Sequence, residues 1–157
     1  MRIARLAALS PGLLSLLLLA GCGDKAAVSL TATIESPVLS VQNGALGSSL
    51  DGSFNLHLVL GKEASGSHSI ALGSFSVHGS GSTVIDPVPV DASPTTFPIT
   101  ISPGDDKTIP IKLSFADVLS QAQHDGLCPG PAQILGSVLE DGKANGISSG
   151  SVSPTCN

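Results

Sequence analysis

The stretch FPITISPGDDKTIPIKLSF, residues 97–115, indicates most clearly how this chain folds. Apolar residues occupy every second position on both sides of a Pro-Gly-Asp-Asp turn, namely Phe97, Ile99 and Ile101 before it and Ile109, Ile111, Leu113 and Phe115 after it. A period of two is typical of a strand with one buried face. The stretch therefore predicts a hairpin of two antiparallel strands joined at residues 103–106.

Apolar runs bounded by turn residues recur along the chain and predict further strands. Their bounds are residues 26–34, 38–42, 54–60, 68–78, 83–90, 131–140 and 147–152, the last two forming a second hairpin around residues 141–146. Within 68–78 the phase of the apolar side chains changes near Gly73, which predicts a β-bulge. Two prolines in 83–90 favour an edge strand or an extended connection.

One short helix is predicted over residues 115–124, where Ser114 can cap the first turn, Asp117 lies in that turn and Gly126 can end the helix. The remaining pattern predicts an all-β fold, an antiparallel β-sandwich of about seven to nine strands. The stretch 97–113 also resembles the strand, Pro-Gly turn and strand of bacterial immunoglobulin-like domains. The resemblance implies that the sandwich is immunoglobulin-like.

The N-terminal residues have the features of a secretory signal. Arg2 and Arg5 precede an apolar stretch of 15 residues, 6–20. A membrane-spanning helix needs roughly 20 apolar residues, whereas a stretch of this length is normal in a signal peptide. The stretch ends in Leu19-Ala20-Gly21-Cys22, which resembles the lipobox of bacterial lipoproteins.

The lipobox implies cleavage between Gly21 and Cys22 and attachment of acyl chains to Cys22, which would hold the protein on a membrane. The alternative is an ordinary secretory signal in which Cys22 is a free thiol. In lipoproteins of two-membrane bacteria an Asp directly after the cysteine signals retention in the inner membrane. Gly23 stands at that position, which favours the outer membrane over the inner membrane of a bacterial cell envelope.

Three segments are therefore expected: a signal peptide (1–21), a lipidated N-terminus with a short tether (22–27) and one β-sandwich domain (28–157). Removing 21 of the 157 residues leaves 136, a common size for a single domain. The tether residues 23–27 span at most about 18 Å when extended. The domain is expected close to the bilayer.

The mature chain is acidic. Both Arg residues leave with the signal peptide, so five Lys remain against twelve Asp and Glu, a net charge of −7. A surface of that sign repels phosphate groups, which argues against nucleic-acid binding and against an electrostatic hold on anionic lipid. The chain has no Trp or Tyr, the side chains on which sugar rings commonly stack, and this argues against sugar binding.

Cys128 and Cys156 remain as a pair once Cys22 is acylated. In an oxidising compartment a disulfide between them is the expected state, with 27 residues between its ends. A redox or metal-binding thiol pair is the alternative, but the two residues do not form a Cys-x-x-Cys motif.

No residue cluster predicts a catalytic, cofactor or metal site. The histidines His57, His68, His78 and His124 have no metal-binding spacing, and strand phase places His68 and His78 on opposite faces.

Gly79-Ser80-Gly81-Ser82 is not a nucleophile elbow, and Asp105-Asp106 and His124-Asp125 fit turn and helix-end chemistry. Calcium binding by Asp51, Asp86, Asp91 or Asp105 with Asp106 has no Asp-x-Asp-x-Asp loop to support it.

The sequence thus predicts a non-enzymatic binding or structural module of the cell envelope, anchored through Cys22. An edge strand could recruit an envelope protein by β-augmentation. A periplasmic carrier of a small ligand or metal is the alternative, and an envelope hydrolase is a third hypothesis. A deep apolar pocket between the sheets would favour a carrier, whereas a His within hydrogen-bond reach of Ser or Asp in a cleft would favour a hydrolase.

Overall fold

A computed structural model describes residues 30–81 and 84–157, which form two β-sheets and one short helix. The strands of this part are β1 (Leu30–Gly44), β2 (Gly47–Leu60), β3 (His68–His78), β4 (Val84–Ile85), β5 (Val90–Asp91), β6 (Ile99–Ile101), β7 (Asp106–Leu119), β8 (Gln133–Glu140), β9 (Lys143–Ser148) and β10 (Thr155–Cys156). Helix α1 (Gln121–Leu127) lies between β7 and β8.

The strand order confirms the predicted all-β sandwich. One sheet has the order β10-β1-β2-β7-β5, and the other has the order β4-β3-β8-β9 with β6 also paired to β3. All pairs are antiparallel except β1 with β10. The orders β1-β2-β7-β5 and β3-β8-β9 reproduce the ABED and CFG sheets of an immunoglobulin constant-type sandwich.

The predicted hairpin at residues 97–115 is wrong in its pairing. Both strands exist, but β6 pairs with β3 and β7 pairs with β2, so they belong to different sheets. The turn between them crosses from one sheet to the other, with Gly104 at φ 85° and its N–H donating to the carbonyl oxygen of Leu60. Both strands bury one face against the same core, and for this reason their period of two resembles that of a hairpin.

The helix begins later than predicted. Strand β7 continues through residues 114–119, where Phe115 pairs with Leu50 and Leu119 pairs with Ser48, so Asp117 lies in a strand. Ser120 caps α1: its Oγ accepts from Gln123 N–H, and Gln123 Oε1 accepts from Ser120 N–H. Pairing with β2 therefore outweighs the local helix signals that begin at Ser114.

Other elements match the prediction with shifted bounds. The pairing register of β3 with β8 shifts between Leu72 and Phe75, which confirms the bulge near Gly73. The terminal hairpin is confirmed, but its turn contains only Asp141 and Gly142, at φ 50° and 83°. Runs 26–34 and 38–42 form one strand from Leu30 onward, interrupted by a bulge between Glu35 and Val38.

A single apolar core fills the space between the sheets. Its largest fully buried side chains are Phe75, Leu39, Leu50, Leu56, Leu58, Leu60, Ile70, Ile85, Ile101, Ile111, Leu113 and Leu127. The rings of Phe54 and Phe75 lie 5.5 Å apart, and Phe75 also covers its cross-strand partner Gly136. Among the described residues every buried side-chain N or O atom has a hydrogen-bond partner.

The register gives the sandwich two distinct ends. At the basal end lie Leu30, where β1 begins, and the turns at residues 61–67, 102–105 and 141–142. At the apical end lie the β1–β2 turn at residues 45–46, helix α1 and the paired segment β10. The basal end carries many charged side chains, namely Lys62, Glu63, Asp105, Asp106, Lys107, Glu140, Asp141 and Lys143.

Candidate functional site

The predicted lipidation site lies outside the described residues. Gly21, Cys22 and the tether precede Leu30, the first residue described. Among residues 30–81 and 84–157, no helix is long and apolar enough to cross a membrane. Because Cys22 is not among the described residues, lipid attachment to it stays a prediction.

Cys128 and Cys156 form the predicted disulfide, with their Cα atoms 6.2 Å apart. Cys128 is the C-cap of α1, and its N–H donates to the carbonyl oxygen of His124. Cys156 lies in β10, which is held beside β1 by the pairing of Val41 with Cys156 and by backbone hydrogen bonds of Asn157. The bond thus connects the helix to the C-terminal segment at the apical end.

A carboxylate clamp, formed by Glu35, His57 and Asp106, spans the outer face of three neighbouring strands. His57 Nδ1 lies 2.8 Å from Glu35 Oε1 and His57 Nε2 lies 2.8 Å from Asp106 Oδ1. Only the imidazolium form can donate from both nitrogens. The hydrogen bond to Asp106 raises the pKa of His57 above its usual 6.5, and Glu35 adds to this effect, while partial burial opposes it.

The clamp makes stability depend on pH. Because the pKa of His57 is raised in the folded state, its stabilising contribution is complete below the unfolded-state pKa and is lost as pH rises through the folded-state pKa. We expect wild type to resist urea better than His57→Gln at about pH 5.5, and the difference to shrink at about pH 8.5. Equal differences in urea midpoint at both pH values would contradict the clamp.

His68 forms a similar contact at the basal end. Its Nδ1 lies 2.8 Å from Asp141 Oδ2 and 3.2 Å from Glu140 Oε1. The backbone N–H of Ser69 donates to the other Asp141 oxygen and is the main reason that the pKa of Asp141 is lowered, with His68 adding to it. This arrangement fixes the start of β3 to the β8–β9 turn.

The described residues contain no group of three or more His, Cys, Asp or Glu side chains arranged to hold a metal ion. Both ring nitrogens of His57 and Nδ1 of His68 contact carboxylates. These contacts connect neighbouring strands. His124 contacts Asp125 next to it on α1, at 3.2 Å. These contacts are suited to structural ion pairing.

His78 meets one criterion for a hydrolase, because its Nε2 lies 3.1 Å from Ser76 Oγ. His78 lines an apical cleft of about 280 Å³ together with Ser80 and Gln133, but Ser80 Oγ donates to the carbonyl oxygen of Gly126. In the part of the chain that the structure describes, no His contacts a serine side chain and a carboxylate together. The pair therefore lacks a described carboxylate that would orient the imidazole and stabilise its protonated form during catalysis.

A second cleft, here called the basal cleft, opens between β1 and β9 where the two sheets meet at one side. Its volume is about 320 Å³, and its lining consists of Leu30, Thr31, Ala32, Asn145, Gly146 and Ile147. None of these side chains is charged. The cleft is a shallow, solvent-open site that could accept small apolar side chains.

Sequence reasoning did not find the carboxylate clamp or the basal cleft. Glu35, His57 and Asp106 come from three strands, and their meeting depends on the pairing register of β1, β2 and β7. The outward phase of His57 between Leu56 and Leu58 was the one signal available. The cleft depends on how the two sheets are placed, which no local pattern reports.

Comparisons with known protein families, with curated proteins and with solved structures find no match to this chain.

Proposed function

We propose that this protein is a cell-envelope lipoprotein, anchored by acyl chains on Cys22 in the outer membrane, whose sandwich is a non-enzymatic binding or structural module. The proposal of an anchor rests on the lipobox-like residues Leu19-Ala20-Gly21-Cys22, and the position of Leu30 at the basal end supports the orientation. Cys22 precedes Leu30 by eight residues, which reach at most about 28 Å when extended. Acyl chains on Cys22 would hold the basal end within that distance of the bilayer.

This orientation leaves the apical end free to meet other envelope components. The apical end exposes Leu46, which is 92% exposed, and Val118, which is 60% exposed. The basal end carries more carboxylates than lysines, so it has no electrostatic attraction to anionic lipid. The acyl chains therefore supply the membrane affinity in this proposal, and the protein surface does not.

An envelope hydrolase is the second candidate, favoured by the contact between Ser76 and His78. Ser76 and His78 point outward from β3, because the residues that alternate with them, Phe75 and Val77, are buried. A nucleophilic serine also needs donors for a developing oxyanion and a group that orients the histidine. A binding module requires neither, and we rank it first. The carrier hypothesis, for a small ligand or a metal, is supported only by open clefts.

The anchor is tested by labelling cells that express the full chain with radioactive palmitate. We expect wild type and Cys128→Ser to incorporate label and Cys22→Ser to incorporate none, because the acyl chains are attached through the Cys22 thiol. The Cys128→Ser variant controls for loss of a different cysteine. Label retained by Cys22→Ser would contradict the assignment.

The membrane is tested by substituting the residue after the lipidated cysteine. We expect wild type in the outer-membrane fraction of a density gradient and Gly23→Asp in the inner-membrane fraction. Asn157→Asp, which adds the same charge at the other end of the chain, should fractionate like wild type. Wild type in the inner-membrane fraction would overturn the outer-membrane assignment.

A further inference from the structure

We propose that the free edge of β9, together with the basal cleft, binds an extended and uncharged segment of another envelope protein, which adds to the sheet as a strand. The inference rests on the proposed function, since it names the partner class of a binding module. It is carried by the backbone of β9, by the lining of the cleft and by the size of the surface.

The backbone of β9 has one unpaired side. The β8–β9 turn contains two residues, so the flanking pair Glu140 and Lys143 is hydrogen-bonded. From Ala144 onward, the backbone N–H and C=O groups of every second residue of β9 therefore point away from β8. The outward residues are Ala144, Gly146 and Ser148. No hydrogen bond from their backbone groups to another described segment is found. These N–H and C=O groups form a template for an added strand.

The edge also lacks the features by which proteins usually block such pairing. β9 contains no proline and no bulge in its register, and its one charged residue, Lys143, lies at its basal end. Ala144, Gly146 and Ser148 are exposed, and the space around Gly146 is open to at least 4 Å from an added Cβ. The side of β9 away from β8 therefore presents its backbone groups at exposed residues, where a second strand can pair.

The basal cleft supplies side-chain contacts for the same strand. A strand paired with β9 would direct alternate side chains inward, toward Leu30, Ala32 and Ile147. The lining is uncharged, so a charged side chain entering it would lose hydration without gaining a partner. The uncharged lining therefore favours a segment with uncharged, small or aliphatic residues at alternate positions.

A second copy of this chain fits the surface less well. A six-residue edge is about 20 Å long and one strand spacing, about 5 Å, wide, far below the roughly 800 Å² per partner of a stable interface. Pairing of two acidic copies would also bring like charges together. An extended segment needs no large interface to form, and it uses both the edge and the cleft by pairing with β9 and directing alternate side chains inward.

The test uses the full lipidated protein in detergent micelles, isotopically labelled, and a capped peptide of alternating threonine and valine as long as β9. We expect added peptide to shift the amide resonances of Ala144, Gly146 and Ser148 and to slow their hydrogen exchange. Amides of Asn145 and Ile147, already paired with β8, should keep their exchange rates. Absence of change at the three outward amides at millimolar peptide would overturn the proposal.

Two variants separate the edge from the cleft. Gly146→Pro removes one outward N–H and leaves the ladder to β8 intact, and we expect about tenfold weaker peptide binding. Ala32→Lys places a charge among the inward-facing residues of the cleft without altering β9 and should also weaken binding, so the test survives if Gly146→Pro does not fold. Gly66→Pro, at another open glycine, is the matched control and should bind like wild type.

The remaining outcomes are distinguishable. Wild-type affinity in a folded Gly146→Pro variant and in Ala32→Lys would overturn the proposed site. Self-association in sedimentation experiments that Gly146→Pro abolishes would assign the edge to a second copy and overturn the partner assigned here. Palmitate incorporation reports on the anchor independently, so failure of the edge site is separable from failure of the proposed function.

Discussion

Replacing Phe75 with alanine is expected to lower the free energy of unfolding by about 3–5 kcal/mol. Phe75 is 2% exposed, packs on the ring of Phe54 and covers the backbone of Gly136 across the strand pair. Its removal leaves a cavity beside Phe54 and Gly136, between the two sheets. Domains of this kind have total stabilities of about 5–15 kcal/mol, so the loss is a large fraction.

Urea unfolding at equilibrium measures this effect. Phe97→Ala is the matched control, because it deletes the same side chain from a partly buried position, and its loss of stability should be clearly smaller. Gly136→Ala should also destabilise, since an added Cβ would overlap the Phe75 ring and force the ring or the strand to shift. Equal losses for Phe75→Ala and Phe97→Ala would contradict the central position of Phe75 in the core.

Loss of the Cys128–Cys156 disulfide is expected to lower stability by about 3–4 kcal/mol through the loop-closure entropy of the unfolded chain. The bond closes a loop with a sequence separation of 28 residues that contains β8 and β9. Without it, β10 is held to β1 by pairing over two residues and by the hydrogen bonds of Asn157. The C-terminal segment should therefore become accessible to protease.

Urea midpoints of wild type, Cys156→Ser and the double variant Cys128→Ser/Cys156→Ser test this effect, with and without reductant. We expect reductant to bring wild type to the midpoint of the double variant and to leave the double variant unchanged. Cys156→Ser should match the double variant, which controls for the thiol left at Cys128. A wild-type midpoint insensitive to complete reduction would show that the bond does not contribute to stability.

The class of the fold was predictable because burial of one strand face leaves a period of two in the sequence. The pairing of those strands was not. Residues 99–101 and 106–113 show the pattern of a hairpin, yet the turn at Gly104 carries the chain from one sheet to the other. A tight turn with a glycine in a left-handed conformation serves either connection, and the choice depends on contacts distant in sequence.

Local signals also failed at residues 114–119. Ser114 and Asp117 suit the start of a helix, but Ser114 Oγ donates to Asp51 Oδ1 across the strand pair and Leu119 is buried. Long-range pairing with β2 therefore determines the conformation of this segment. The capping box at Ser120 and Gln123 was present in the sequence and correctly marks the start of α1.

The same distinction between local pattern and long-range pairing applies to the candidate sites. Cys128 and Cys156 were predictable as a pair by counting cysteines, once Cys22 was assigned to lipid. The carboxylate clamp at His57 and the basal cleft at Gly146 each combine residues far apart in sequence. Their recognition requires the register of paired strands or the placement of one sheet over the other.

Mass spectrometry of the mature N-terminal peptide tests the lipid anchor on which the orientation and the proposed function depend. Protease digestion of the purified membrane form should yield a peptide that begins at Cys22 and carries the mass of diacylglycerol, with a further acyl group where the amino terminus is modified. A peptide that begins at Cys22 without added lipid mass, or cleavage at another residue, would contradict the anchor.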